Sequence, residues 1–185
     1  MLNIGFIMPS SKGNYKPFRN QPLVLLYLLT ILEDRFGAKL NLSLIDLRGV
    51  GDDSLMFHVP EKDVYLYSVS TPDITEIYNI AKEIRATFPK AKHVAGGAHI
   101  TLFPNKYSDI FDSVVLGEGE ESIVKVVSDL LASDLHPVYR QDGPINIDKY
   151  PFPSRKWLPK KAVVDTGLLE GKCLNLSSTT ALFSR

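Results

Sequence analysis

Three short clusters of glycine, hydroxyl and acidic residues carry the chemistry that the chain offers, and each cluster follows an apolar run. The candidate binding residues are Ser68, Ser70 and Thr71 in the first cluster, Gly96, Gly97 and His99 in the second, and Gly117, Glu118 and Gly119 in the third. Glycine has no Cβ, so the backbone can approach a broad, flat ligand closely. The hydroxyl groups can add hydrogen bonds. This pattern predicts a binding site, and no residue is predicted to be catalytic.

Several other chemistries lose support from the same sequence. No turn has the glycine spacing and basic residue of a phosphate loop, or the full dinucleotide fingerprint. Cys173 is the one cysteine, so the chain has too few thiolates for a cysteine-rich zinc site or an iron–sulfur cluster of its own. The four histidines lack metal-ligand spacing. Nucleotide hydrolysis, hydride transfer and a metal held by protein side chains are therefore disfavoured.

Charge and hydropathy limit the partners. Twenty-one basic residues balance twenty-one acidic ones, so no net field attracts nucleic acid. The longest apolar run, residues 22–32, is shorter than the ~20 residues that span a bilayer. We expect a cytoplasmic protein with no nucleic-acid or membrane partner.

Apolar runs of strand and helix type alternate along the first two thirds of the chain. Strands are predicted over residues 2–8, 40–47, 64–69, 93–98 and 113–116, and helices over 23–36, 74–88 and 120–131. Such alternation predicts a doubly wound α/β fold, Rossmann-like or flavodoxin-like. Its parallel sheet should have five strands in the order 2-1-3-4-5. From about residue 133, five prolines predict an irregular C-terminal extension.

Ligands of such sheets bind beyond the carboxyl ends of the strands, where all three clusters should lie. Taken alone, the Gly-Gly pair and the Gly-Glu-Gly segment are each more typical of a tight turn, and their shared position in one crevice is what favours a binding role. His99 could donate to a ligand or hold its own loop, and the sequence favours neither. Glu120 and Glu121 are interpreted as charges that suit the start of a helix.

Four segments together resemble the cobalamin-binding domain of cobalamin-dependent radical SAM enzymes. They are residues 22–28 (PLVLLYL), the strand end Ile45-Asp46, residues 94–99 (VAGGAH) and residues 114–120 (VVLGEGE). Residues 150–155 resemble the proline-rich connector of that family, and residues 181–185 resemble the strand that enters the radical domain. In the family a Gly-Cys-x-x-x-Cys-x-x-Cys motif would follow.

The resemblance implies a division into a cobalamin-binding domain, 1–132, and a linker with the start of a radical SAM domain, 133–185. It implies that cobalamin binds at the carboxyl edge of the sheet. The [4Fe–4S] cluster and S-adenosylmethionine would belong to a downstream domain, in cis or in trans, that performs methyl transfer or radical chemistry. The Asp-x-His-x-x-Gly motif of cobalamin-dependent mutases is missing, so no histidine cobalt ligand is expected. Val24 stands where relatives often have glycine.

Two alternatives remain open. The chain could be a degenerate scaffold that docks against a radical SAM domain and binds no cofactor, as Val24 and the missing histidine motif would allow. It could also be a flavodoxin-like domain that binds a flavin or another small ligand.

Overall fold

The computed structural model describes residues 1–10, 17–18, 21–141 and 145–159. Strands and helices alternate along them. The strands are β1 (Leu2–Met8), β2 (Leu40–Asp46), β3 (Val64–Ser68), β4 (Lys92–Gly96), β5 (Ser113–Leu116) and β6 (Val138–Arg140). The α-helices are α1 (Leu23–Phe36), α2 (Ile74–Thr87), α3 (Ala98–Leu102) and α4 (Glu120–Leu131). Cys173 and the predicted entry strand at residues 181–185 lie outside the described residues.

The strands form one parallel sheet in the order β2-β1-β3-β4-β5-β6. The predicted doubly wound α/β class and the order 2-1-3-4-5 are therefore confirmed. Parallel neighbours need long crossover connections, which the helices supply. The chain moves from β1 outward to β2, then returns across β1 to β3, so the connections diverge between β1 and β3.

The sheet has a sixth strand that the sequence pattern does not predict, within the segment expected to be irregular. β6 pairs in parallel with β5, from Val138 beside Val114 to Arg140 beside Leu116. Its middle residue, Tyr139, is buried, and the Tyr139 hydroxyl donates to Asp129 Oδ2 at 2.7 Å. A three-residue edge strand is too short for an alternating pattern to mark it. The predicted division after residue 132 stays a prediction, although β6 extends the sheet beyond it.

Apolar side chains cover both faces of the sheet, because alternate residues of a strand point to opposite faces. One face packs with α2, through Ile77, Ile80 and Ile84, against Tyr65 and Tyr67 of β3. The other face packs with α1 and α4; its buried residues include Phe6, Leu66, Val94, Val115, Leu25, Leu29, Ile123 and Val126. This second face continues into the cleft described below.

The segment 150–158, here called the strap, runs over the outer side of α1. The Ser154 amide donates to Thr30 Oγ1 at 2.8 Å, and Leu158 is buried in a cluster with Phe18. α1 is apolar on nearly every side, which agrees with its packing: the sheet covers one side of the helix and the strap covers another. None of the described helices combines the length and apolarity needed to cross a lipid bilayer.

Candidate ligand-binding cleft

A cleft of about 620 Å³ opens at the carboxyl ends of β3, β4 and β5. It extends between the sheet and the helices α1 and α4. Its volume lies within the ~300–1,000 Å³ of typical small-molecule sites. The cleft therefore occupies the position where a parallel sheet of this type binds its ligand.

The floor of the cleft is apolar. Residues two apart in a strand share a face, so Leu66 of β3, Val94 of β4 and Val115 of β5 line it side by side, with Phe6 of β1 beside them. The same alternation places Ser68 and the glycines of the next two strand ends nearer the opening. A planar, apolar group is the kind of ligand that fits such a floor.

The walls come from the first turns of two helices. Val24 and Leu28 of α1 lie one turn apart, as do Glu120 and Ile123 of α4. Val24 is 61% exposed, whereas Ile123 is only 5% exposed. Both helices follow a strand and so begin at the carboxyl edge of the sheet, which places Val24 and Glu120 towards the mouth and Leu28 and Ile123 deeper.

All four glycines predicted to meet at this edge line the cleft: Gly96, Gly97, Gly117 and Gly119. Gly117 has a φ of +80°, a conformation that favours glycine. A Cβ on Gly119 would reach ordinary contact distance, 3.6 Å, from the Leu28 side chain. The cleft is therefore narrow where α4 faces α1.

Gly97 has a structural reason to lack a side chain. Its φ is +98°, and a Cβ there would lie 2.7 Å from the carbonyl oxygen and 2.8 Å from the amide nitrogen of Val69. The Val69 amide donates to the Gly96 carbonyl at 2.8 Å, and the His99 amide donates to the Val69 carbonyl at 3.1 Å. These contacts join the loops after β3 and β4, so any other residue at position 97 would separate the loops.

The three predicted hydroxyl residues have different positions. Ser68, at the end of β3, lines the cleft. The Ser70 hydroxyl donates to Asp73 Oδ2 at 2.5 Å, just before α2. Thr71 is exposed, and its hydroxyl is 3.2 Å from Nδ1 of His99. Ser70 and Thr71 do not line the cleft, and their contact with a ligand stays a prediction.

His99 is buried and bonded within the protein. It is 4% exposed, its Nε2 is hydrogen-bonded to the Tyr107 hydroxyl at 2.9 Å, and its Nδ1 faces Thr71. The Phe103 ring packs on it at a centroid distance of 5.0 Å. This geometry favours the second of the two roles considered for His99, in which it holds the loops around α3.

Two acidic side chains reach the cleft: Glu118 of the third cluster, and Glu120, which is the first residue of α4. Glu118 is exposed, whereas one carboxylate oxygen of Glu120, Oε2, is fully buried and has no hydrogen-bond partner among the described residues. Burial raises the pKa of Glu120; the backbone amides of Glu120 and Gly119 oppose this effect, and the charge of Glu118 adds to it. The sequence indicates for Glu120 only a charge that suits the start of a helix. Its burial depends on how α4 packs, which no local pattern predicts.

A buried ion pair at the end of β2 organises the neighbouring edge. Arg48 is 0% exposed and binds Asp46 through two hydrogen bonds, of 2.8 and 2.6 Å. It also donates to the Pro17 carbonyl at 3.2 Å, and its guanidinium lies 4.9 Å from the centre of the Phe18 ring. The pair therefore holds residues 17–18, which precede α1, against the end of β2. Within the described part of the chain, no group of three His, Cys, Asp or Glu side chains is arranged to hold a metal ion.

The chain is thus a doubly wound α/β domain with a cleft at the carboxyl ends of β3, β4 and β5. No family model matches the chain, and no curated protein matches it. One solved structure to which it is similar is the cobalamin-dependent S-adenosylmethionine radical enzyme OxsB with aqua-cobalamin bound. The TM-score is 0.57 at 16% sequence identity, and the similarity covers 74% of this chain and 19% of that chain. The chain thus matches about a fifth of OxsB, and at this identity the similarity shows the fold.

Proposed function

We propose that this chain is a cobalamin-binding module that serves a radical SAM domain. The corrin ring lies over the carboxyl ends of β3, β4 and β5, and the nucleotide tail enters the cleft between the sheet and the helices α1 and α4. OxsB, a protein of similar fold, has cobalamin bound in its structure, which supports this assignment.

The observation that carries the proposal is the apolar floor of the cleft below glycine-tipped strand ends. Phe6, Val94 and Val115 offer a flat apolar surface at depth, which suits the aromatic base of the tail. Gly96 and Gly117 keep side chains away from the opening, where a wide ring has to approach. A site for a compact polar ligand would instead need several convergent polar groups on its floor.

Each predicted residue has a role in this proposal. Ser68 and Glu118 offer hydrogen bonds at the mouth, and the four glycines let the ligand approach the backbone. Ser70, Thr71 and His99 support the loops after β3 and β4. No histidine lines the cleft among the described residues, so we propose that no histidine of this module binds cobalt.

The catalytic chemistry belongs to the partner domain in this proposal. When bound, cobalamin supplies methyl-transfer or radical chemistry, while the protein binds and orients it. The [4Fe–4S] cluster and S-adenosylmethionine are assigned to the radical SAM domain, in cis or in trans.

Uptake of hydroxocobalamin by the purified protein tests the proposal. The protein is mixed with excess hydroxocobalamin, desalted, and examined by visible absorption. We expect the wild-type protein to retain the cobalamin spectrum. Val24→Trp, which places a large ring in the mouth from an exposed position, should weaken binding by about tenfold or more. Leu131→Trp, at the far end of α4, is the matched control and should bind like the wild type.

A colourless, folded wild-type protein would overturn the proposal and favour the cofactor-free scaffold. A protein that is yellow as purified and takes up no cobalamin would favour the flavin-binding alternative. Equal affinities of the Val24→Trp and Leu131→Trp variants would indicate that the ligand binds outside this cleft. Gly97→Trp is unsuitable as a test, because the clash with Val69 would disturb the loops themselves.

A further inference from the structure

One carboxylate in the cleft has an oxygen that nothing in the described part of the protein satisfies. Glu120 is the first residue of α4, and its Oε2 is buried without a hydrogen-bond donor. Burial, and then the charge of the nearby Glu120, raise the pKa of the Tyr27 hydroxyl, yet Oε2 accepts no hydrogen bond from that hydroxyl. The described protein therefore leaves one acceptor beside the cleft without a hydrogen-bond partner.

A buried acceptor without a partner destabilises the free protein, and more so when it is charged. An ionised carboxylate only accepts hydrogen bonds, so an O–H or N–H group of a ligand would satisfy it, whereas a phosphate would be repelled. The raised pKa of Glu120 agrees with a carboxyl group that lacks solvation. The open acceptor thus indicates a neutral or positive donor group on the ligand.

The depth of Glu120 narrows the choice of donor. Glu120 lies at the mouth and Ile123 one turn deeper, beside the apolar floor. If the base of the tail packs on the floor, the group that follows it towards the mouth is the ribose. The amide side chains of the corrin lie further out, beyond the strand ends.

We propose that Glu120 accepts a hydrogen bond from a ribose hydroxyl of the cobalamin nucleotide tail. This inference rests on the function proposed above. It makes Glu120 a specificity residue that distinguishes cobalamin from corrinoids without the nucleotide.

Two substitutions and two ligands test it. Glu120→Gln keeps the shape but removes the charge, and Glu120→Met also removes the acceptor. Glu121→Gln removes the adjacent carboxylate, which does not line the cleft, and is the matched control. Affinity is measured by absorbance titration with hydroxocobalamin and with diaquacobinamide, which lacks the ribose, phosphate and base.

We expect the affinity for hydroxocobalamin to fall about tenfold in Glu120→Gln, because the hydrogen bond to a charged group is lost. The fall should be larger in Glu120→Met, which also lacks the acceptor. Affinity for diaquacobinamide should be unchanged. The melting temperature of the ligand-free protein should rise in Glu120→Met, because an unsatisfied buried group is removed. Opposite changes in affinity and stability are not expected of a residue with a merely structural role.

The outcomes separate the two proposals. If the wild type binds no cobalamin, both fail. If it binds and the Glu120 variants bind equally well, only the role of Glu120 fails. Equal losses for both ligands would assign the donor to a corrin amide and overturn the ribose assignment. If diaquacobinamide does not bind at all, the tail is needed for binding, and the two variants are compared on hydroxocobalamin alone. A loss of affinity in Glu120→Met but not in Glu121→Gln then supports the role of Glu120, and equal affinities overturn it.

Discussion

The stability of the protein should fall between about pH 6.5 and pH 4 because of one buried imidazole. His93 of β4 is 0% exposed, and its Nδ1 is hydrogen-bonded to the Tyr67 hydroxyl at 2.9 Å. Its Nε2 is buried and has no partner among the described residues. Protonation would add a buried positive charge, and the imidazolium would have no acceptor for its Nε2–H group among the described residues, so the folded state keeps His93 neutral.

The magnitude follows from the shift of its pKa. Burial lowers the pKa of His93 from 6.5 to about 4; the charge of Arg85 adds to this effect, and that of Asp112 opposes it. Above pH 6.5 the ring is neutral in both the folded and the unfolded states. Between pH 6.5 and about 4 only the unfolded state takes up the proton, so the free energy of unfolding falls as pH falls. The full difference amounts to roughly 3 kcal/mol.

Urea unfolding followed by circular dichroism at pH values from 4 to 8 measures this effect. Other groups titrate in part of this window: the raised pKa of Glu120 works in the opposite direction. The informative quantity is therefore the difference between the wild type and His93→Asn, which should shrink by about 3 kcal/mol as the pH falls from 7 to 4. His58→Asn, at an exposed position, is the control for the loss of one imidazole. Parallel pH profiles for the wild type and His93→Asn would refute the reasoning.

Two further predictions concern the contacts that hold the cleft together. Gly97→Ala should lower the free energy of unfolding by about 2 kcal/mol or more, because the new Cβ would overlap a neighbouring backbone at a φ of +98°. Gly37→Ala is the control, since it also has positive φ but nothing lies within 4 Å of its Cβ; equal losses in urea unfolding would contradict the overlap argument. Leu158→Ala, in the strap, should lower the free energy of unfolding by about 2 kcal/mol or more, since the side chain is only 8% exposed. Phe152→Ala, at a side chain that is 81% exposed, is the control and should hardly change the free energy of unfolding. If the two variants unfold at the same temperature, the strap is not packed on the protein.

The strap itself also explains a feature of the sequence. A helix on the surface of a doubly wound fold normally has one polar side, yet α1 contains few polar residues before Glu33. The sequence therefore indicated that α1 is covered, without indicating by what. The covering residues lie more than 110 positions later, where no periodic pattern marks them.

Local pattern determined the strands β1 to β5 and the helices α1, α2 and α4, the parallel pairing of these strands, and the meeting of the glycine clusters at one edge of the sheet. Hydrophobic periodicity and helix-start signals act over a few residues, so they are readable from the chain alone. β6 and the five-residue helix α3 were missed because such short segments carry no readable period; residue 98, predicted to end a strand, is instead the first residue of α3.

The tertiary structure decided what each site residue does. Gly97 packs against the Val69 backbone, His99 bonds to Tyr107, and Glu120 has a buried oxygen without a partner. Each of these facts depends on how two separate segments approach each other in three dimensions. A sequence shows which residues can bind, but only packing determines whether a polar group is already satisfied by the protein or is left for a ligand.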